Sequence, residues 1–360
     1  MSQLALAVED RSTAARATAD ASLAARLARY PRLRFMGSKF RLAPRLARLF
    51  ETLPAGPVLD AFSGSGVVSY TLKATGRPVL ASDHLTFAST LAEATVANDD
   101  VRLDATDVAL LCSGNRDGRD FIARTFAGLY FPDDDHRFVD GVWSHIEDLD
   151  RPKQALAIGA LCLAAAWKQP RGVFSFATPR YDDGRRQLRM PLHDLFHEAV
   201  ATFNGAVFEG TSKSRTTCQD VFDLEPEGFS VVYLDPPYAP PRDDTCYIKR
   251  YHFLEGLATY WRGQEILWET KTRKIAKRWT PFAYKRTVRP ALDQLFDHFK
   301  DSTLVVSYGS NASLSGDDLG AMLARHKRRV ERIEIPHRYA FGTHAAASRR
   351  MATEFIFVAR

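Results

Sequence analysis

The chain is poor in cysteine, and none of Cys112, Cys162, Cys218 and Cys246 belongs to a C-x-x-C pair. That spacing suggests neither a zinc ribbon nor a disulfide framework, and predicts buried reduced thiols as in a cytosolic protein. Apolar runs stop well short of the roughly 18 residues a membrane span needs. The first residues lack the apolar stretch of a signal peptide, and Glu9, Asp10 and Asp20 argue against an organelle transit peptide. No internal repeat is present. No glycine loop is followed by G-K-[ST], which excludes a P-loop.

What is present is ordinary for a folded enzyme. Apolar residues make up 45% and charged residues 26% of the chain, so it is not disordered as a whole. Its 360 residues suffice for one large domain, or for a core carrying a sizeable insertion. A net charge of +6 favours a polyanionic partner without establishing one.

The texture changes along the chain. Residues 1–30 are rich in Ala and Arg and predict a helical or frayed extension. The turn-like Arg34-Phe35-Met36-Gly37-Ser38-Lys39 precedes a helix with Leu42, Leu46, Leu49 and Phe50 on one face. Pro44 falls in its first turns, where proline is tolerated. Pro57-Val58-Leu59-Asp60 then reads as a strand running into Ala61-Phe62-Ser63-Gly64-Ser65-Gly66 and a further helix. Pro78–Ser82 is a second strand, ending at Asp83. Strand, glycine loop, helix, strand and acid open a doubly wound α/β sheet. Residues 96–204 read as an inserted, mainly helical module. The α/β texture returns near Val207, with buried-strand runs at Val231–Leu234 and Thr303–Tyr308 and a last strand at Glu354–Val358. The core is thus discontinuous, 31–95 plus 205–360.

Two features carry chemistry. Gly64 and Gly66 let the backbone approach a ligand between a strand end and a helix N-terminus. Ser69 stands where the dinucleotide fingerprint has its last Gly or Ala, so the loop does not select a nicotinamide cofactor. Asp83 sits at the next strand end, where a carboxylate can accept from ribose hydroxyls. The second feature is Asp235-Pro236-Pro237-Tyr238 after the Val231–Leu234 strand. The prolines fix an extended backbone. The Asp235 carboxylate and the Pro236 carbonyl then form a rigid acceptor cluster beside the Tyr238 ring. A nucleobase amine is a weak nucleophile because its lone pair is delocalised into the ring. Acceptors gripping its hydrogens localise that lone pair, and Asp235 stabilises the charge that develops on reaction.

Phe-Ser-Gly-Ser-Gly followed by Asp-Pro-Pro-Tyr resembles the DNA adenine methylases of the Dam type and of bacterial restriction-modification systems. The order of the motifs, with a long insertion between them, resembles the alpha group of that family. The resemblance implies a Rossmann-like sheet that binds S-adenosyl-L-methionine, with 96–204 as a target-recognition domain. It implies that Phe35 and Lys39 flank the cofactor. Asp60, Phe62, Ser63, Gly64 and Gly66 would hold its methionine end, Asp83 its ribose, and Asp220 and Val221 its adenine. Tyr251-His252 also has a family counterpart. The reaction implied is methylation of the adenine N6 amine in double-stranded DNA, after the base is flipped out of the duplex. A cognate restriction endonuclease and a place in the bacterial cytoplasm at the nucleoid would go with it; neither a membrane nor a resident metal would. His193 and His197, four residues apart, read as a partly exposed helix face.

Residues 262–289 interleave Lys271, Arg273, Lys274, Lys277, Arg278, Lys285, Arg286 and Arg289 with Trp268, Trp279, Phe282 and Tyr284. They can neutralise DNA phosphates, or form a solvated helix face. Arg180 to Arg189 is a second basic patch. Other readings remain open: methylation of the cytosine N4 amine, of RNA or of a protein amide, a silent DNA-binding homologue, or a nicotinamide oxidoreductase. Asp235, where cytosine-specific enzymes usually carry Ser, favours adenine.

Overall fold

Short β-branched runs alternating with amphipathic helices build one seven-stranded sheet in this computed structural model. The structure describes residues 17–176, 182, 184–241, 246–339 and 350–360. The chain enters through a helix over 17–29 (α1), then α2 (Ala43–Glu51), β1 (Val58–Asp60), α3 (Val67–Ala74), β2 (Val79–Asp83) and α4 (Thr86–Ala92). Next come α5 (Ala105–Leu111), α6 (Phe121–Thr125), α7 (Asp133–Ile146), α8 (Arg151–Trp167) and α9 (Leu192–Ala206). They lead to β3 (Arg215–Cys218), β4 (Val231–Leu234), α10 (Ile248–Leu257) and a hairpin of β5 (Ile266–Leu267) and β6 (Lys274–Ile275). The chain closes with α11 (Val288–His298), β7 (Thr303–Gly309), α12 (Gly316–Leu323), β8 (Val330–Tyr339) and β9 (Arg350–Ala359).

The strand order is β3-β2-β1-β4-β7-β9-β8. Strands β1, β2, β3, β4 and β7 are parallel, and β9 lies antiparallel to both β7 and β8. The chain winds outward from β1 to β3 on one side and from β4 to β7 on the other. The switch point therefore lies between β1 and β4, which pair with Asp60 opposite Tyr233. In open α/β sheets, that crevice at the strands' carboxyl ends is where ligands bind.

Alternation along the strands divides the core. Val58, Val231 and Tyr233 face a cluster with Leu46 and Phe50 of α2 and Leu23 and Leu27 of α1. Leu59, Val232 and Leu234 face Leu292, Leu295 and Phe296 of α11 and Leu319 of α12. The described part of the N-terminal extension is thus docked, because Leu23 and Leu27 recur on one helical face and are both buried. Residues 1–16 lie outside the described residues.

A third core belongs to the helices. Among the described residues of 96–204 no strand occurs, and α8 is apolar and buried from Ala155 to Ala166. Its cluster also takes in Phe87 of α4 and Phe253, Leu254 and Leu257 of α10. Two separate stretches of chain, before and after the Asp235 turn, therefore share one helical core.

Candidate active site

The glycine loop follows from backbone geometry. Gly64 has φ +51° and Gly66 φ +78°, left-handed values that side chains with a Cβ resist. They turn the chain from the end of β1 into α3. The loop is pinned to β2: the Gly64 N–H donates to Asp83 Oδ2 at 2.8 Å, and the Ser63 N–H donates to the Ser82 carbonyl at 2.8 Å. The Leu85 N–H donates to the other Asp83 oxygen at 2.9 Å. Each oxygen of Asp83 thus accepts one backbone N–H.

Asp60 ends β1 fully buried. Ser69 Oγ donates to its Oδ2 at 2.6 Å, while Oδ1 is buried without a partner, as is Ser63 Oγ nearby in the loop. Burial pushes the Asp60 carboxyl up to about 7, and the neighbouring Asp235 and Asp83 push in the same direction. Such orphaned acceptors fit a ligand carrying an ammonium group.

The segment 34–39 bridges this loop and the proline turn. The Phe35 ring lies so close over Gly64 that an added Cβ there would stand 2.9 Å from it. Phe35 stacks on Tyr251 with ring centres 5.0 Å apart and planes within 4°. Tyr251 accepts from the Met36 N–H at 2.8 Å and donates to the Arg34 carbonyl at 3.3 Å. The motif tyrosine after the proline turn therefore holds the segment in place. Its neighbour His252 is buried against the Phe174 carbonyl at 2.9 Å, and burial lowers it to about 4, so it is neutral at physiological pH.

Lys39 crosses to the proline turn. Its Nζ donates to Asp235 Oδ1 at 2.8 Å, Asp235 Oδ2 at 2.7 Å and the Gly37 carbonyl at 3.0 Å. Glu354, from β9, lies 3.4 Å from the same ammonium. The Tyr238 hydroxyl stands 2.8 Å from Asp235 Oδ1 and 2.6 Å from Glu354 Oε1, and Ser307 Oγ donates to Glu354 at 2.7 Å. The Tyr238 ring packs over Gly309 and lies 4.9 Å from Tyr308. Burial raises the Asp235 carboxyl; Lys39 opposes that rise and Glu354 adds to it. Burial would also raise Glu354, but Lys39, Tyr238 and Ser307 outweigh it and hold that acid low.

The remaining sequence-predicted residues fall at two distances from this centre. Pro236 and Pro237 are buried at the end of β4, as the rigid turn requires. Phe62 meets the Phe282 ring edge-on at 5.3 Å, and Phe222 stacks on the same ring. Val221 is buried beneath them, whereas Asp220 is exposed and caps the 3-10 turn Val221–Asp223. The basic segment is a hairpin followed by a 3-10 turn, not a helix face. Lys271, Lys277, Lys285 and Arg286 are exposed on it, with Trp268 and Trp279 at 56% and 66% exposure. Arg273 donates to the Trp268 carbonyl, and Lys274 lies in β6. Arg278 instead pairs with buried Glu255 at 2.9 Å. That acid caps the start of α4 through the Thr86 and Phe87 N–H groups. In the second basic patch, Arg185 donates to the Trp167 and Gln169 carbonyls, and Arg186 pairs with Glu198 at 2.8 Å. His193 and His197 are exposed on α9; Asp194 lies 3.0 Å from His193, and the Cys112 sulfur 3.7 Å from His197.

Sequence reasoning missed Glu354 and Ser307. Both sit in apolar strand runs, where a lone polar residue facing inward was the available signal. The contacts of Glu354 with Lys39 and Tyr238, and of Ser307 with Glu354, are purely tertiary.

A largely parallel sheet with a glycine loop and a proline-framed acceptor at its switch point is consistent with a Rossmann-like methyltransferase. Residues 35–114 match the D12 class N6 adenine-specific DNA methyltransferase family. The Type II methyltransferase M2.HphI of Haemophilus parahaemolyticus is 26% identical over 329 residues, covering 86% of this chain and 93% of that protein. The Type II methyltransferase M.FokI of Planomicrobium okeanokoites is 22% identical over 323 residues, covering 82% of this chain but 47% of its own length. These matches support an adenine N6 methyltransferase family for the chain.

Proposed function

We propose that the chain methylates the N6 amine of adenine at a specific site in double-stranded DNA, with S-adenosyl-L-methionine as donor and the base flipped out of the helix. One observation carries this reading: the segment 35–39 touches the cofactor-type loop through Phe35 over Gly64 and the acceptor turn through Lys39 on Asp235. Methyl donor and acceptor must be held within near-attack distance, and this is the shortest path between the two halves of such a site.

The roles follow from chemistry. S-adenosyl-L-methionine, when bound, supplies an electrophilic methyl group. Asp60 and Ser63 meet the polar methionine end, where Asp60 Oδ1 and Ser63 Oγ are buried without partners. Asp83 receives ribose hydroxyls on its remaining lone pairs, Asp220 and Val221 border the cofactor's adenine, and Phe62 closes its side. Asp235 and the Pro236 carbonyl grip the target amine, concentrate its lone pair, and take up the charge that develops as the nitrogen–carbon bond forms. Pro237 keeps the turn stiff. Tyr238 stacks on the flipped base, a contact worth about 1–3 kcal/mol.

Lys271, Arg273, Lys274, Lys277, Lys285 and Arg286 contact phosphates, and exposed Trp268 and Trp279 lie on the same surface. Arg278 helps to shape that surface through Glu255. Residues 96–204 form the recognition module, and a cognate endonuclease cleaves the unmethylated site. The chain acts at the bacterial nucleoid. Expression in a methylation-free host, with modified bases mapped by single-molecule sequencing, tests this. N6-methyladenine in one short motif is expected. N4-methylcytosine, or unmodified DNA, overturns it.

A further inference from the structure

Glu354 is 2% exposed, and Ser307 beside it is fully buried. Burying a carboxylate costs several kcal/mol unless partners compensate it, and here the nearby ammonium, Lys39 at 3.4 Å, is shared with a second acid, Asp235. Two acids share one ammonium, so the group carries one negative charge more than it balances. An apolar residue on β9 would pack there at lower cost. The arrangement makes sense if Asp235 has to part from Lys39.

Asp235 in the resting site spends both oxygens on Lys39 and one also on Tyr238. A target amine needs one of those oxygens. When it takes one, the grip of Asp235 on the Lys39 ammonium falls from two oxygens to one, and a further acceptor beside that buried charge offsets the loss. Glu354 already stands 3.4 Å from that ammonium and 2.6 Å from the Tyr238 hydroxyl. Ser307, two residues along β7 from Gly309, the register partner of Glu354, fixes its orientation by donating to it.

We propose that Glu354 is a positioning residue for methyl transfer, receiving Lys39 and Tyr238 as Asp235 turns to the amine. This rests on the reading that Asp235 grips the adenine amine. Asp235 accepts N6–H; as the nitrogen–carbon bond forms and the carbon–sulfur bond breaks, the sulfur keeps the electron pair. The surplus N6 proton leaves through Asp235 to solvent. Glu354 takes no part in bond making. Its charge sets how readily Asp235 stays ionised, alongside Lys39, Tyr238, Asp60 and Tyr233, which face the same pocket.

Glu354→Gln tests the inference on the full chain with duplex DNA. Single-turnover methylation should slow about 30-fold, with cofactor affinity held within about twofold, the scale of a lost buried charge-assisted contact. The acid limb of the rate profile should move to lower pH, because the anion that opposes ionisation of Asp235 is gone. Glu354→Asp keeps the charge, so its limb should stay put, while its shorter reach costs several-fold in rate. Wild-type rates in Glu354→Gln, or a slower enzyme with an unmoved limb, overturn the proposal. If the Gln variant does not fold, Glu354→Asp decides: a wild-type rate overturns the proposal, and a several-fold loss at unchanged cofactor affinity supports it. A wild-type chain that leaves adenine unmethylated would instead sink the underlying reading.

Discussion

Lys39 and Asp235 stand 196 positions apart in the chain, yet the ammonium of one donates to both carboxylate oxygens of the other, at 2.8 and 2.7 Å. The contact joins the segment before the first strand to the turn after the fourth. It turns two sequence motifs into one site.

Removing the ammonium should be costly. Lys39→Met leaves Asp235 and Glu354 buried together without a counter-charge, and breaking such a pair costs about 3–5 kcal/mol. Both acids are then raised above their unfolded values. The stability they contribute is present at low pH and lost as pH rises through the raised values. Urea unfolding should show a larger loss at about pH 8 than at about pH 5. Equal losses at both would contradict the pairing.

Gly64→Ala should disturb the loop. The position has φ +51°, and the new methyl would stand 2.9 Å from the Phe35 ring. Left-handed strain alone costs about 1–3 kcal/mol. Phe35 must also shift, so calorimetry should show cofactor affinity down about tenfold together with a lower melting temperature. An unchanged affinity would remove Phe35 and Gly64 from the cofactor site.

Asp60 should make cofactor binding pH-dependent. Burial raises its carboxyl to about 7, whereas the cofactor ammonium needs the ionised form. Affinity should fall about tenfold per pH unit below that value. Without cofactor the sign reverses. Asp60 contributes stability at low pH and loses it as pH rises from its unfolded value through 7. Asp60→Asn should flatten both profiles in titrations followed by calorimetry and thermal melting.

DNA affinity should respond to the exposed lysines of the hairpin region. Lys271→Gln with Lys285→Gln removes two of the proposed phosphate contacts. The slope of log affinity against log salt should become shallower by about 2 units, equally for specific and random duplexes. A fluorescence titration at several salt concentrations reads this. An unchanged slope would place the DNA elsewhere.

Much of the sheet was legible in the sequence because parallel strands buried on both faces are short apolar runs. Val58–Asp60, Val79–Asp83, Val231–Leu234 and Thr303–Gly309 all read that way. Strand β8 did not, because it is an edge strand carrying Glu331, Arg332 and Glu334 with much of its surface in solvent. The hairpin at Ile266–Ile275 was hidden because two-residue strands leave no periodicity to read. The glycine loop and the proline turn announced themselves through backbone chemistry, which acts locally. The ion pairs of Lys39 with Glu354 and of Arg278 with Glu255 did not, since each joins residues that only the folded sheet brings together.

The most direct measurement is chemical. Purified protein is incubated with duplex DNA and S-adenosyl-L-methionine labelled in its methyl group, and the digested nucleosides are separated. The account predicts label in N6-methyladenine for the wild type and a loss of about 10²–10³-fold in Asp235→Asn, the scale of one lost transition-state contact. Cofactor affinity should be nearly unchanged in that variant. Label in cytosine, or full activity without the Asp235 carboxylate, would contradict it.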